Sequence, residues 1–275
     1  MADMKKSDGD FFSSGVSAAN TTSIDKAFAE TSKVLFGKSL SGIEKYGEWL
    51  GRRMPKISRQ KSCVSGKEVL LPDYSIFACA PKERLAGLES LQELGKRQMD
   101  VAGGENVSAI TKNLGNISIY ITDLQLGENR AVYESVIYNN LHDAYRITDA
   151  FNAKHIAYNF FTDLNDHTFG VGKTISSNFC IHCYNSKNLN RAFEADACRN
   201  CSDIMFCHNC ENVRDSIFCC NAKNLRYAVC NVQVGKEEYE RIRKILVDYV
   251  LSELEKKGSL DFDVFEVGCL KKTKR

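Results

Sequence analysis

Residues 131 to 231 repeat with a period of twelve, and few folds accept a period that short. The clearest pair of units is Asp203 to Arg214 followed by Asp215 to Arg226. Stepping by twelve, one column reads Asn140, Asn152, Leu164, Ser176, Asn188, Asn200, Asn212 and Asn224. A second column is apolar at every step: Tyr133, Tyr145, Ala157, Phe169, Ile181, Phe193, Met205, Ile217 and Val229. The column beside it (Glu134, Arg146, His182, Glu194) varies freely, as an outward position should.

Twelve residues are too few for a helix pair but suit one coil of short strands and tight bends. The expected fold is therefore mostly β: a narrow β-solenoid of about nine 12-residue rungs, with N-terminal helices and a C-terminal amphipathic capping helix. At the strand spacing of about 4.8 Å such a rod is roughly 40 Å long. Asn fits a repeated bend because it tolerates the left-handed conformation, and stacked amides can bond along the ladder. A rung cannot bury its own apolar face, so the ends need covers.

The register changes the meaning of the cysteines. The chain has 12, of which nine fall between Cys180 and Cys230. Cys180-x2-Cys183, Cys198-x2-Cys201 and Cys207-x2-Cys210 have the spacing of zinc sites. In the 12-residue frame, Cys183, Cys207 and Cys219 share a column with Val171 and Ala195. Cys198 and Cys210 share one with Thr174, Ser186 and Ala222, and Cys201 one with Leu189, Val213 and Leu225. Small and apolar residues alternate there with cysteine, which fits buried thiols lining a narrow interior. Zinc stays open as a cofactor, with Cys198, Cys201, Cys207, Cys210 and Cys219 as candidate ligands, and disulfides or an iron–sulfur cluster are the remaining reading. Cys220 and Cys230 fall outside these columns and are expected to be exposed.

The flanks read as helical. Residues 1–20 form a polar tail, and residues 21–127 a helical region with a short strand. Its first helix starts near Ser23, with Ile24, Phe28, Thr31 and Leu35 at helical spacing and Gly37 past its end. A second begins at a Ser41–Glu44 capping box and carries Ile43, Trp49 and Leu50. A third is expected from Pro81, with Leu85, Leu88, Leu91 and Leu94. The repeats occupy 128–234. A capping unit over 235–268 holds a helix from Lys236 to Lys257, facing inward through Tyr239, Ile242, Leu246 and Tyr249. A short strand through Leu260, Phe262 and Val264 and a basic tail over 269–275 close the chain.

Net charge is +2, and residues 131–234 carry nine Lys/Arg against ten Asp/Glu, so no basic stripe is implied. The one nucleic-acid signal is the segment Arg52, Arg53, Lys56, Arg59, Lys61 and Lys67, which holds no acidic residue. No apolar run approaches a membrane span or a signal peptide, so a cytoplasmic location is expected. His155 and His167 fall in a bend column and His182 and His208 on outward columns, where they read as surface histidines. Gly170 to Thr174 lacks the glycine spacing of a P-loop, and no linear nucleophile-plus-base motif appears.

The units Lys187-Asn-Leu189 and Cys210-Glu-Asn-Val213, followed by Gly235-Lys-Glu-Glu-Tyr239, resemble a loose group of Cys/Asn-rich short-repeat proteins of small-genome archaea and candidate-phylum bacteria. The resemblance covers residues 130 to 245 and implies no activity or site residues. In period alone the array is similar to insect antifreeze β-solenoids, but it lacks their regular Thr-x-Thr face. The sequence thus points away from an enzyme. It points to a scaffold presenting a rigid surface for protein partners or self-assembly. The alternative is a zinc-binding module that holds nucleic acid through Arg52 to Lys67.

Overall fold

A computed structural model describes residues 22–73, 77, 79–100, 106–122, 124–133, 135–139, 141–145, 156, 157, 159, 161, 162 and 167–268. The expected tails, residue 155 and the Asn140 and Asn152 steps of the repeat lie outside them. Of the described residues 31% are helical and 20% are in strands, so the chain is not mostly β.

Helix α1 (Thr22–Phe36) buries Ile24, Phe28, Thr31 and Leu35, the expected face, and Gly37 follows it with φ 77°. The second helix is a 3₁₀ turn (Ile43–Tyr46) running into one α turn, α2 (Gly47–Leu50). Its expected capping box does not form, because Gly42 rather than Ser41 takes the N-cap, in the left-handed region. Strands β1 (Ile57–Lys61) and β2 (Glu68–Pro72) pair antiparallel, and of the basic segment Arg59 and Lys61 lie in β1.

The helix expected from Pro81 is broken into a 3₁₀ turn, the short strand β3 (Leu85–Ala86), a second 3₁₀ turn and one α turn, α3 (Leu91–Leu94). Leu85 accepts from the Cys63 N–H and β3 pairs parallel with β4 (Tyr120–Ile121), so tertiary pairing overrides the leucine periodicity. Helix α4 (Val107–Asn113), capped by the Asn106 side chain, was not evident from the sequence.

The repeat appears as rungs in register. Strands β5 (Leu124–Leu126) and β7 (Ile137–Asn139) pair parallel with an offset of thirteen. Strands β6 (Arg130–Tyr133) and β8 (His142–Tyr145) pair with an offset of twelve. Further on, β9 (Glu194–Ala195), β10 (Ser202–Cys207), β11 (Arg214–Ile217) and β12 (Arg226–Val229) stack parallel in one sheet. Ser202 meets Arg214 and Arg214 meets Arg226, each twelve residues on. Strand β13 (Val232–Gln233) then turns back antiparallel on β12 and ends the stack.

The backbone shows why strand content is low. Asn200, Asp203, Phe206 and Asn209 have φ of 49–53°, and the pattern repeats at Asn212, Asp215, Phe218 and Asn221. From Asn200 to Cys230 every third residue is thus a left-handed corner, and a rung there has four sides of three residues each; residues 167–199 do not share this corner pattern. One residue per side points in, one points out and one turns the corner. Sides this short leave little room for strand ladders, which is the physical reason the expected β content is not reached.

The inward residues are those between the corners: Cys201, Ile204, Cys207 and Cys210 in one rung, Val213, Ser216, Cys219 and Ala222 in the next, all buried. Three of these columns match the sequence reading. The fourth, Ala192, Ile204, Ser216 and Ala228, does not. The apolar column assigned to the interior (Phe169, Ile181, Phe193, Met205, Ile217) instead points outward. It is buried in one cluster with Phe28, Phe36 and Trp49 and with helix α5 (Lys236–Lys257). Phe36 packs edge-on against Phe193, with ring centroids 4.9 Å apart.

The C-terminal helix has the expected limits, with Gly258 in the left-handed region after it. It covers a side of the stack rather than its end, through Tyr239, Leu246, Val247, Val250 and Leu254. Tyr249, expected on this face, is largely outside it, because the buried residues follow the true helical period toward Val250 and Leu254. The expected last strand is an irregular turn, and the alternation fails, because Asp263 is buried along with Leu260, Phe262 and Val264. No helix among the described residues is long and apolar enough to cross a membrane.

Candidate functional site

The interior cysteines form a continuous file of thiols. Cys201 Sγ lies 3.5 Å from the Cys210 carbonyl, Cys207 Sγ 3.5 Å from that of Ser216 and Cys210 Sγ 3.4 Å from that of Cys219. Each thiol therefore has an acceptor nine residues on, across the rung boundary. Hydrogen bonding among the neighbouring sulfurs, and then burial, pushes the Cys198 and Cys207 thiols well above their ordinary pKa. Protonated thiols satisfied by carbonyls and by one another are what a narrow, dry interior favours. The register does bring together the five cysteines named as candidate zinc ligands. Yet among the described residues no group of three or more His, Cys, Asp or Glu side chains is arranged to hold a metal ion.

The six basic residues are not brought together. Arg52 Nη2 donates to the Leu260 carbonyl at 2.6 Å, and Arg53 Nε to Asp263 Oδ2 at 2.6 Å. Arg59 pairs with Glu68 across the hairpin. Lys56, Lys61 and Lys67 are exposed on or beside the hairpin. Two of the six, Arg52 and Arg53, thus fasten the C-terminal segment.

Beneath those arginines lies a buried polar cluster that the sequence placed on the surface. His182 and Glu194, read as outward positions, are each 1% exposed. Helix and tail segments cover their column. The His182 ring lies 4.7 Å from that of Trp49, and its Nδ1 meets the Tyr184 hydroxyl at 2.7 Å. Burial, and secondarily Arg52, lowers the His182 pKa to about 3, so the ring is neutral. Burial likewise raises Tyr184 and Glu194. Glu194 Oε1 accepts the Val264 N–H at 2.8 Å, which ties the C-terminal segment to the rungs.

The third feature lies on the next outward column. Stepping by twelve places Asp196, His208 and Cys220 one above another, and His208 and Cys220 form a parallel β-bridge. His208 Nδ1 is hydrogen-bonded to Asp196, whose side chain is 7% exposed against 41% for the histidine. Cys220 is exposed, and its backbone is clamped by the Asn231 amide. The Cys220 N–H donates to Asn231 Oδ1 at 2.9 Å, and Asn231 Nδ2 donates to the Cys220 carbonyl at 2.9 Å. A groove of about 520 Å³ opens here, lined by His208, Phe218, Cys220, Cys230, Val264, Phe265, Val267 and Gly268. Its size falls in the roughly 300–1,000 Å³ range of ligand sites.

The sequence contains this alignment, but a search for linear motifs passes over it. The signal was the same twelve-residue step that revealed the asparagines, applied to Cys220. No protein-family model, curated protein or solved structure matches the chain.

Proposed function

We propose that the array from about residue 131 to 231 is one continuous β-solenoid, and that the protein is a structural scaffold presenting a rigid surface to a protein partner or a second copy. The observation that carries this reading is the open side between two amide ladders. Asn209 Nδ2 donates to Asn221 Oδ1 at 2.7 Å and Asn212 Nδ2 to Asn224 Oδ1 at 3.1 Å. Between these corners the outward residues are also joined rung to rung, Glu211 to Arg199 at 3.7 Å and to Lys223 at 2.8 Å. Such ladders fix side chains at the strand spacing of about 4.8 Å and remove the conformational entropy that association otherwise costs.

The antiparallel turn of β13 supports contact through a side rather than through that end, since it blocks addition of a further parallel rung. The test is light scattering of the purified full chain together with native co-purification. A defined oligomer or a stoichiometric partner, weakened by Glu211→Lys, is the expected result. A strictly monomeric protein with no stoichiometric partner overturns the reading.

A further inference from the structure

We infer that Cys220, His208 and Asp196 form a thiol acyl-acceptor site, in which Cys220 takes an acyl group from an apolar acyl thioester bound in the groove beside it. The site is independent of the scaffold reading. Three rungs at about 4.8 Å spacing set a carboxylate, an imidazole and a thiol in line. Asp196 is buried and bonded to His208 Nδ1, which fixes the tautomer and leaves Nε2 as the free ring nitrogen. The imidazole edge is partly exposed and lies against the Phe265 ring at 6.1 Å, so it faces the groove rather than the interior. Cys220 lines the same groove one rung further on.

The chemistry follows from the order of these groups. Burial, first among the causes, holds the Cys220 thiol above its ordinary pKa, so at neutral pH it carries its proton. A protonated thiol needs a base to become a nucleophile, and a histidine oriented by a carboxylate supplies one. His208 Nε2 takes the Cys220 proton as Sγ attacks the thioester carbonyl carbon. The bond from that carbon to the leaving sulfur breaks, and the leaving thiolate recovers the proton from His208. A thioester and a thiol go in; a Cys220 thioester and a free thiol come out, with no oxidant and no change in redox state.

The groove selects the class of acyl group. Apart from His208, two cysteines and Gly268, its described walls are Phe218, Val264, Phe265 and Val267, which favour a hydrocarbon chain. Cys230 shares this wall, so disulfide chemistry between the two thiols is the competing use of the same place.

The probe is an octanoyl thioester of a small thiol, incubated with the intact protein and followed by intact mass and peptide mapping. The expected result is one octanoyl group on Cys220, removed by hydroxylamine, formed at least about tenfold faster than on the exposed Cys63 and Cys79. His208→Gln is expected to slow it by about 10² or more, the usual contribution of a general base. Asp196→Asn is expected to slow it less and to change its pH profile, as a positioning residue should. Each variant is checked by circular dichroism and melting, and Cys220→Ser gives the unlabelled reference. Label spread evenly over the exposed cysteines, label on Cys230, an unchanged rate in His208→Gln, or a Cys220–Cys230 disulfide in place of acylation each overturns the proposal.

Discussion

Arg53 Nε donates to Asp263 Oδ2 at 2.6 Å, across 210 residues of chain. The Asp263 side chain is 1% exposed, and its other oxygen accepts the N–H groups of Phe265 and Glu266 at 2.9 and 3.1 Å. One buried carboxylate thus shapes the turn after Asp263 and fastens it beside the rungs. That turn carries Val264 and Phe265 to the groove.

Arg53→Ala is therefore expected to cost more than a surface ion pair. It removes the guanidinium but leaves the buried charge, a change worth about 2–4 kcal/mol, whereas exposed pairs contribute about 0–1 kcal/mol. Urea unfolding of the variant measures it. Asp263→Asn keeps the shape without the charge and should cost less. A loss below about 0.5 kcal/mol for Arg53→Ala would show that the pair is only superficial.

The corner asparagines make a separate prediction. Asn212 has φ 53° and its amide bonds to Asn224. Asn212→Ala loses the amide and must still enter the left-handed region, at about 1–2 kcal/mol. Asn212→Gly loses the same amide but has no side-chain clash, so it should be the milder change. Thermal melts of the two variants decide: equal losses would place the whole effect in the amide ladder.

How much of this was legible in the sequence depends on which neighbours decide each position. The period, the asparagine bends and three inward columns came directly from spacing, because a rung is stacked on a copy of itself. The error at Met205 and Ile217 has a clear cause: a buried residue looks the same whether the coil interior or a helix such as α1 covers it. His182 and Glu194 were misplaced for the same reason, since Trp49 and the turn after Leu260 bury them from far along the chain. Arg52 and Arg53 looked like a basic patch because their partners, Leu260 and Asp263, are some two hundred residues away. The Asp196–His208–Cys220 column needed no tertiary knowledge, only the repeat applied to the right residues.

His182 gives a pH prediction whose sign is fixed by its burial. Its pKa falls from 6.5 to about 3 in the folded chain, so the folded state refuses a proton that the unfolded state accepts. The stability tied to this group is present above pH 6.5 and is lost as pH falls from 6.5 toward 3, by up to about 1.4 kcal/mol per unit. Between pH 6.5 and 5 the buried Glu194, whose pKa is raised, adds a slope of the opposite sign, so it is the difference between the native chain and a His182 variant that reports on the ring. Replacing the ring in His182→Phe should remove its share of the dependence of stability on pH in that window, even if it lowers stability at pH 7. An unchanged slope would mean that the ring takes a proton in the folded state.

The cysteine file separates two accounts of what holds the rungs together. If the thiols are protonated filler, chelators leave the melting temperature unchanged, metal content is far below stoichiometric, and interior thiols react only after denaturation. Structural zinc would contribute about 10–16 kcal/mol, and its removal would unfold the chain. Volume gives a second handle. Cys207 is fully buried and sits directly below Cys219, whose N–H lies 3.5 Å from the Cys207 sulfur. Cys207→Ala removes one atom from this file and should cost about 1 kcal/mol. Cys207→Leu adds atoms where stacked rungs leave none and should cost about 1–3 kcal/mol or more. A ligand cysteine would remove that order, since alanine would then be as damaging as leucine and would abolish metal binding. Melting curves of the two variants, with and without chelator, distinguish the accounts.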